Sequence, residues 1–284
     1  MPAVRVSSLT ETSLHLDETD LHYFCKALES RAGIALKPSK QNLVQTRLRS
    51  RIATHGFKNY KEYRQYLETL PDDHPEWESF TNSLTTNKTE FFREPKHFDF
   101  LAHQILPQWL KTHQKTFKVW SAASSTGEEA YTLAMVLDRH LPKDRDFKIL
   151  ATDVDTKVLK TAQNGVYHIS KKMEIPEEYH STCLDIGKGN VRGWFRIKPH
   201  LKEKVIFKKH NLIEKTFPGE NVFDLVLCRN VLIYFGPESV DFVQRKLYYT
   251  VKPGGYLFIG HSESFNGLKH QWSSVGPSIL KKAE

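Results

Sequence analysis

The sequence predicts an α/β fold with a mainly parallel sheet, preceded by a small all-helical domain. Three observations predict it. From Phe117 onward, short apolar runs alternate with helical segments, the rhythm of the strand-helix units that build a parallel sheet. In the first third, to about Leu110, apolar residues recur at helical spacing instead. The 284 residues exceed the roughly 100–200 typical of one domain, so a large domain with a smaller one is expected.

The helical domain is expected over residues 21–90. Leu21, Phe24, Cys25 and Leu28 share one helix face, as do Val44, Leu48 and Ile52. Pro38-Ser39 suits a helix start and His55-Gly56 a helix end. The α/β domain follows over residues 91–284, with strand-like runs at 117–123, 147–151, 205–208, 223–228 and 256–260. Ligands of an open α/β sheet bind at the carboxyl ends of such strands. Residues 166–204 break the rhythm: Gly187, Gly189 and Gly193 surround a hairpin pattern, and Trp194, Phe195 and Ile197 read as a strand. An inserted antiparallel β subdomain is expected there. Lys252-Pro253-Gly254-Gly255 is expected to turn ahead of the fifth strand.

Composition excludes several classes. Hydrophobic residues at 39% and charged residues at 26% are an ordinary soluble balance. The apolar stretch 226–235 is interrupted by Arg229 and Asn230 and falls short of the roughly 20 residues of a membrane span, so no membrane insertion is expected. Residues 1–20 lack a basic patch followed by an apolar run and read as the flexible end of a cytoplasmic protein. Cys25, Cys183 and Cys228 are far apart and odd in number, suggesting neither a disulfide framework nor a metal site. Lys plus Arg at 41 against Asp plus Glu at 33 gives a net charge of +8, which favours an anionic partner without distinguishing nucleic acid from an acidic protein surface.

The strand ends carry the candidate site. Trp120 to Tyr131 reads as strand, small-residue loop and helix, a nucleotide-site layout without the G-x-G-x-x-G of dinucleotide folds. Glu128 and Glu129 at that turn disfavour a pyrophosphate and suit a ligand with cationic centres, and S-adenosylmethionine carries a sulfonium and an ammonium. The same acids also suit a helix N-terminus through its dipole, and the pattern alone leaves both readings open. The second strand ends in Asp153, placed to hold a ribose diol, with Asp155 the better helix cap. Asn211-Leu212 and Asn230-Val231 follow the third and fourth strands, pairing amide groups with flat apolar contact. A lone Asn at a strand end is ordinary turn chemistry, so only the coincidence is informative.

This order of elements resembles class I methyltransferases from roughly Lys115 to the end. Leu84-Thr85-Thr86-Asn87-Lys88-Thr89-Glu90-Phe91-Phe92-Arg93-Glu94 is similar to the signature of the chemotaxis receptor methyltransferases, the CheR family. Ser121 to Glu129, Ala151 to Asp155, Cys228 to Phe235 and Gly260 to Ser264 are family-like too, so the resemblance covers nearly the whole chain. It implies a Rossmann-like class I methyltransferase fold and S-adenosylmethionine as cofactor, with S-adenosylhomocysteine as product. It also implies a cofactor site of Asn87, Thr89, Arg93, Glu128, Asp153, Asn211, Leu212, Asn230 and Val231. The implied acceptors are glutamate side chains on the cytoplasmic methylation helices of chemoreceptors. A free glutamate has a pKa of about 4.3 and is already ionised at pH 7, so no general base is expected. Arg93, Arg229 and Tyr234 are the candidates to orient it. Phe91 and Phe92 are expected in the core, and His261 as a structural histidine.

Lys40, Arg47 and Arg51 fall on one stripe of the second helix, beside Val44, Leu48 and Ile52, and few acids within that helix balance them. The stripe is expected to grip an acidic helix, which the resemblance identifies as the receptor's. Gly187-Lys188-Gly189-Asn190 is similar to the loop of family members that dock a receptor's C-terminal tail peptide on the β subdomain. A monomer is expected. Two alternatives compete. A nucleic-acid methyltransferase would suit the net charge, but Arg229-Asn230-Val231-Leu232 stands where amino-group enzymes of DNA have Asp/Asn-Pro-Pro-aromatic, so no nucleic-acid partner is expected. Against a non-catalytic signalling scaffold stands the full cofactor constellation.

Overall fold

A computed structural model describes residues 15–112 and 114–284. Residues 1–14 of the expected flexible end lie outside the described residues. The chain divides into two compact units, a helical one up to Arg31 and over Ala35–Leu84, and an α/β one of Ala32–Ile34 with Thr85–Glu284.

The helical unit contains α1 (Glu18–Ala32), α2 (Gln41–His55), α3 (Tyr60–Thr69) and α4 (Pro75–Leu84). Phe24, Leu28, Val44, Leu48 and Ile52 are buried as their spacing predicts, and Cys25 is half-buried at the edge of the stripe. Pro38 opens a short 3-10 turn that leads into α2. Gly56 closes α2 in the left-handed region (φ 70°), and its N–H returns to Ala53 O. Asn59 caps α3 by accepting from the Glu62 N–H at 2.9 Å.

The strands of the α/β unit, in chain order, are β1 (Thr116–Ala122), β2 (Asp146–Asp153), β3 (Val166–His168), β4 (Leu184–Ile186), β5 (Trp194–Ile197), β6 (Val205–Lys209), β7 (Phe223–Cys228), β8 (Val251–Ile259), β9 (Ser273–Gly276) and β10 (Ile279–Lys281). Seven form one sheet in the order β6-β2-β1-β7-β8-β10-β9, parallel from β6 to β8 and antiparallel from β8 onward. The helices Glu128–His140, Thr156–Asn164 and Pro237–Thr250 follow β1, β2 and β7. β7 is buried along its whole length, as a strand covered on both faces must be. Register sets the site: Ala122 lies opposite both Thr152 and Cys228, and Cys228 opposite Ile259, so β1, β2, β7 and β8 end level at one edge.

Three features differ from the sequence expectation. Residues 85–90, expected with the helical domain, cluster with the α/β unit, where Thr85 and Asn87 hydrogen-bond Asp155. Pro253-Gly254-Gly255 lies inside β8 rather than ahead of it; the register shift between Phe223 and Leu225 absorbs the extra residues as a bulge. The antiparallel β3-β5-β4 sheet forms, but Tyr167, Leu184, Phe195 and Ile197 pack into the same apolar cluster as β1 and the helix Glu128–His140. The insertion shares the core of the larger unit.

Candidate active site

The loop after β1 is held in a conformation that side chains disfavour. Ala123, Ser125 and Gly127 all have positive φ, at 67°, 49° and 96°. Neighbouring backbone and side chains fix it: Ser124 N–H donates to Thr152 O at 2.8 Å, and Ser125 N–H to Asp153 Oδ2 at 2.8 Å. A Cβ at Gly127 would lie 2.8 Å from the Ala162 side chain, so glycine is required twice over.

Asp155 caps the following helix as expected, and Asp153 ends β2. Asp155 Oδ1 caps the helix Thr156–Asn164 by accepting from Lys157 and Val158 N–H, while Oδ2 accepts from Thr85 Oγ1 and Asn87 Nδ2, each at 2.8 Å. Asn87, expected to reach a cofactor carboxylate, commits its amide nitrogen to Asp155 and accepts the Ser125 hydroxyl on its backbone oxygen. Asp153 is buried, with no ion pair among the described residues; it accepts backbone N–H groups from Ser125 on Oδ2 and Asp155 on Oδ1, with Val154 also in reach. Burial pushes its carboxyl up to about 6. Each oxygen keeps a further lone pair for a hydroxyl donor. His210 N–H bonds Asp153 O, which sets Asn211 and the buried Leu212 beside it.

Glu128 is 1% exposed, accepts the Thr126 hydroxyl at 2.6 Å and pairs with Lys171 Nζ at 2.7 Å. Lys171 Nζ also donates to Thr89 O at 3.3 Å. Two expected cofactor residues thus meet around one ammonium. Phe91 packs on Tyr167 and Phe195 in the core, and Phe92, partly buried, packs against that core on Phe98 and Tyr179.

Arg229 corrects an expectation. Its side chain is 1% exposed, pairs with Glu94 at 3.1 Å and Glu129 at 3.3 Å, and donates to Arg93 O. With both acids engaged, Arg229 organises the site rather than presenting a charge to a substrate. Burial pushes the Glu129 carboxyl up, opposed by Arg229 and by the Ser121 hydroxyl. Burial also raises Glu94, but Arg229, the His261 N–H and the Asn230 amide outweigh it and hold that carboxyl below its ordinary value. Burial pushes His97 down to about 4, leaving the ring neutral at pH 7. Glu94, His97 and the half-exposed His261 bring ligand-type atoms within 4.8 Å of one another, but the guanidinium already supplies positive charge on the same Glu94 oxygen. Arg93 is partly exposed and donates to Lys88 O at 3.0 Å. Asn230 is left-handed (φ 58°), and Tyr234 sits partly exposed in the 3-10 turn Leu232–Tyr234. Sequence reading assigns no role to Glu94, His97 or Glu263, although Glu94 and Glu263 fall inside quoted motifs; only the fold reveals their contacts.

Gly187, Lys188, Gly189 and Asn190 form the connection between β4 and β5. Gly187 N–H donates to Trp194 O at 2.8 Å, and a Cβ there would lie 2.1 Å from Val191 O, so the turn demands glycine. Ile186, Val191 and Trp194 are exposed around it.

In the helical unit, the expected stripe is only partly available. Arg51 pairs through Nε (2.9 Å) and Nη2 with Glu76, which also takes the Tyr63 hydroxyl and approaches His55 Nε2 at 3.0 Å. The missing acid comes from α4, not from α2. Arg47 Nη1 donates to Leu84 O at 2.7 Å. Lys40 is exposed at the start of α2.

Comparison with known proteins gives a consistent picture. Residues 87–279 match the family model described as "CheR methyltransferase, SAM binding domain", and residues 19–85 match "CheR methyltransferase, all-alpha domain". The chain is 34% identical to the chemotaxis protein methyltransferase of Salmonella typhimurium over 282 residues, covering 98% of this chain and 96% of that one. It is 36% identical to that of Borreliella burgdorferi over 277 residues, covering 95% and 96%.

Proposed function

The chain belongs to the CheR methyltransferase family and is an S-adenosylmethionine-dependent methyltransferase, and from that premise we propose that it esterifies glutamate side chains on the cytoplasmic helices of chemoreceptors. The observation that carries this reading is the level strand edge, which gathers Asp153, Asn211, Leu212, Asn230 and Val231 with the strained loop leading to Glu128.

The residues fit the cofactor. Glu128 and Thr89 O hold the Lys171 ammonium, a place that the amino group of the cofactor would share or take over. Asp153 offers two acceptor oxygens to a ribose diol, Leu212 and Val231 offer apolar contact to a base, and Asn211 and Asn230 offer amides. Arg93 and the Thr89 hydroxyl complete the reading on the carboxylate side, with Asn87 behind them holding Asp155 and the Ser125 hydroxyl. When bound, the cofactor supplies an electrophilic methyl on a sulfonium.

The chain's own task is then positioning. A glutamate carboxylate ionised at pH 7 needs no proton removed, so orientation and exclusion of water supply most of the rate. Arg93 and Tyr234 orient the acceptor, while Arg229 holds Glu94 and Glu129 in place behind them. Lys40, with Arg47 and the exposed Arg49 on the same helix, is the basic surface for an acidic receptor helix. The Gly187–Asn190 turn, the outer strand β4 and the exposed Ile186 and Trp194 support docking of a receptor tail as an added strand, which would raise the local concentration of substrate. The enzyme acts as a monomer in the cytoplasm.

The test is transfer of labelled methyl from S-adenosylmethionine, with receptor-containing membranes and nucleic acid offered together. Label on the receptor is expected. Label on RNA or DNA alone would overturn the reading.

A further inference from the structure

Glu263 lies outside every motif residue assigned to cofactor or acceptor, yet four backbone N–H groups converge on its carboxylate. Gly260 and Asn230 donate to Oε2 at 2.6 and 2.8 Å, and Leu232 and Ile233 to Oε1 at 2.8 and 3.3 Å. The side chain is buried, and none of these bonds comes from a cationic side chain. The carboxylate therefore ties the turn after β8 to the loop after β7 by satisfying amides that no strand or helix pairs.

That loop needs to be held. Asn230 has the left-handed φ of 58° that a residue with a Cβ disfavours. It is pressed against Gly260, where a Cβ would lie 2.5 Å from Asn230 Nδ2 and 2.9 Å from Asn230 N. On its other side the Asn230 amide reaches Glu94 at 3.3 Å. Without Glu263, the Asn230 side of the loop would keep that longer contact and the ion pairs of the neighbouring Arg229, but the backbone N–H groups of 230, 232 and 233 would lose their acceptor.

We infer that Glu263 is a positioning residue for methyl transfer: it fixes the loop 229–234, and acts through Asn230, Val231 and Tyr234 rather than by touching substrate or cofactor. This rests on the reading of that loop as part of the cofactor and acceptor site. A glutamine of the same length retains one acceptor oxygen and turns an NH2 toward the remaining amides, so Glu263→Gln removes the clamp on one side at nearly constant shape.

The experiment is calorimetric titration of S-adenosylmethionine into folded E263Q. Gly260→Ala serves as a second variant, whose Cβ would lie 2.8 Å from Glu263 Oε2 and 2.5 Å from Asn230 Nδ2 and so pushes the carboxylate and the loop apart, and Asn230→Ala as the reference. We expect all three to bind roughly tenfold more weakly, the size of losing a hydrogen bond to a charged group. In steady state the KM for cofactor should rise more than kcat falls, and amides 230–233 of E263Q should exchange with solvent faster. Wild-type affinity in E263Q and G260A beside a weakened N230A would overturn the role of Glu263 while leaving the cofactor site standing. Wild-type affinity in all three would overturn the reading of the loop itself, and this inference with it. If E263Q does not fold, Glu263→Asp, which keeps the charge but shortens the reach to the four N–H groups, decides by the same criterion.

Discussion

Asp153 shows how burial and hydrogen bonding set one carboxyl against its ordinary chemistry. Desolvation raises it to about 6 despite the N–H groups of Ser125 and Asp155. In the unfolded chain it titrates near 3.9. The stabilising effect of its proton is therefore complete below about 4 and lost as pH rises through about 6. Binding carries the opposite sign, because ribose hydroxyls donate to the ionised form. Affinity for S-adenosylmethionine should fall as pH drops through about 6, and Asp153→Asn should bind about tenfold more weakly at pH 7.5 and flatten that dependence. Titrations of both proteins between pH 5 and 8 check it; an equally sloped profile in the variant would remove Asp153 from the ribose. Much of this residue scale is legible in sequence. Asp155 as cap and Asp153 as the strand-end acid follow from their places, one immediately before a helix start and the other at the end of an apolar run. The raised carboxyl does not, because burial depends on β6 and on Ser125, which lie far from Asp153 along the chain.

Single elements were readable where their signal is local. The α2 stripe of Val44, Leu48 and Ile52, the Gly56 stop and the apolar β7 depend on periods of a few residues. β9 and β10 escaped because three or four residues carry too little pattern. The Arg51 stripe misled for a related reason: charge was counted within one helix, whereas Glu76 arrives from α4. Burial pushes the Glu76 carboxyl up, but bonds from Arg51, Tyr63 and His55 outweigh it and hold it below its ordinary value. The pair fastens α2 to α4, and Glu76 is 4% exposed. Arg51→Ala leaves that carboxylate short of its main partner and should cost about 3 kcal/mol of stability. Urea unfolding of wild type and variant measures it, and a difference under about 0.5 kcal/mol, the scale of an exposed pair, would make this a surface contact.

At the scale of the whole molecule, a net charge of +8 left nucleic acid and acidic protein equally open. The family match over 19–85 and 87–279 separates them. What the long-range contacts add is the acid-base scaffold behind the edge, in which Glu94, Glu129 and Glu263 hold Arg229 and Asn230 in place. Glu94 and Glu129 are engaged by Arg229 and Glu263 by four backbone N–H groups, and a carboxylate acceptor asks for no base. An ammonium acceptor, with a pKa of about 10.4, would ask for one. The chemical stability of the product tests this claim most directly. Protein labelled from methyl-labelled S-adenosylmethionine is treated with mild alkali, and volatile label is collected. Release of the label as methanol is the predicted result for a glutamyl methyl ester; label that stays on the protein through alkali would contradict carboxyl methylation.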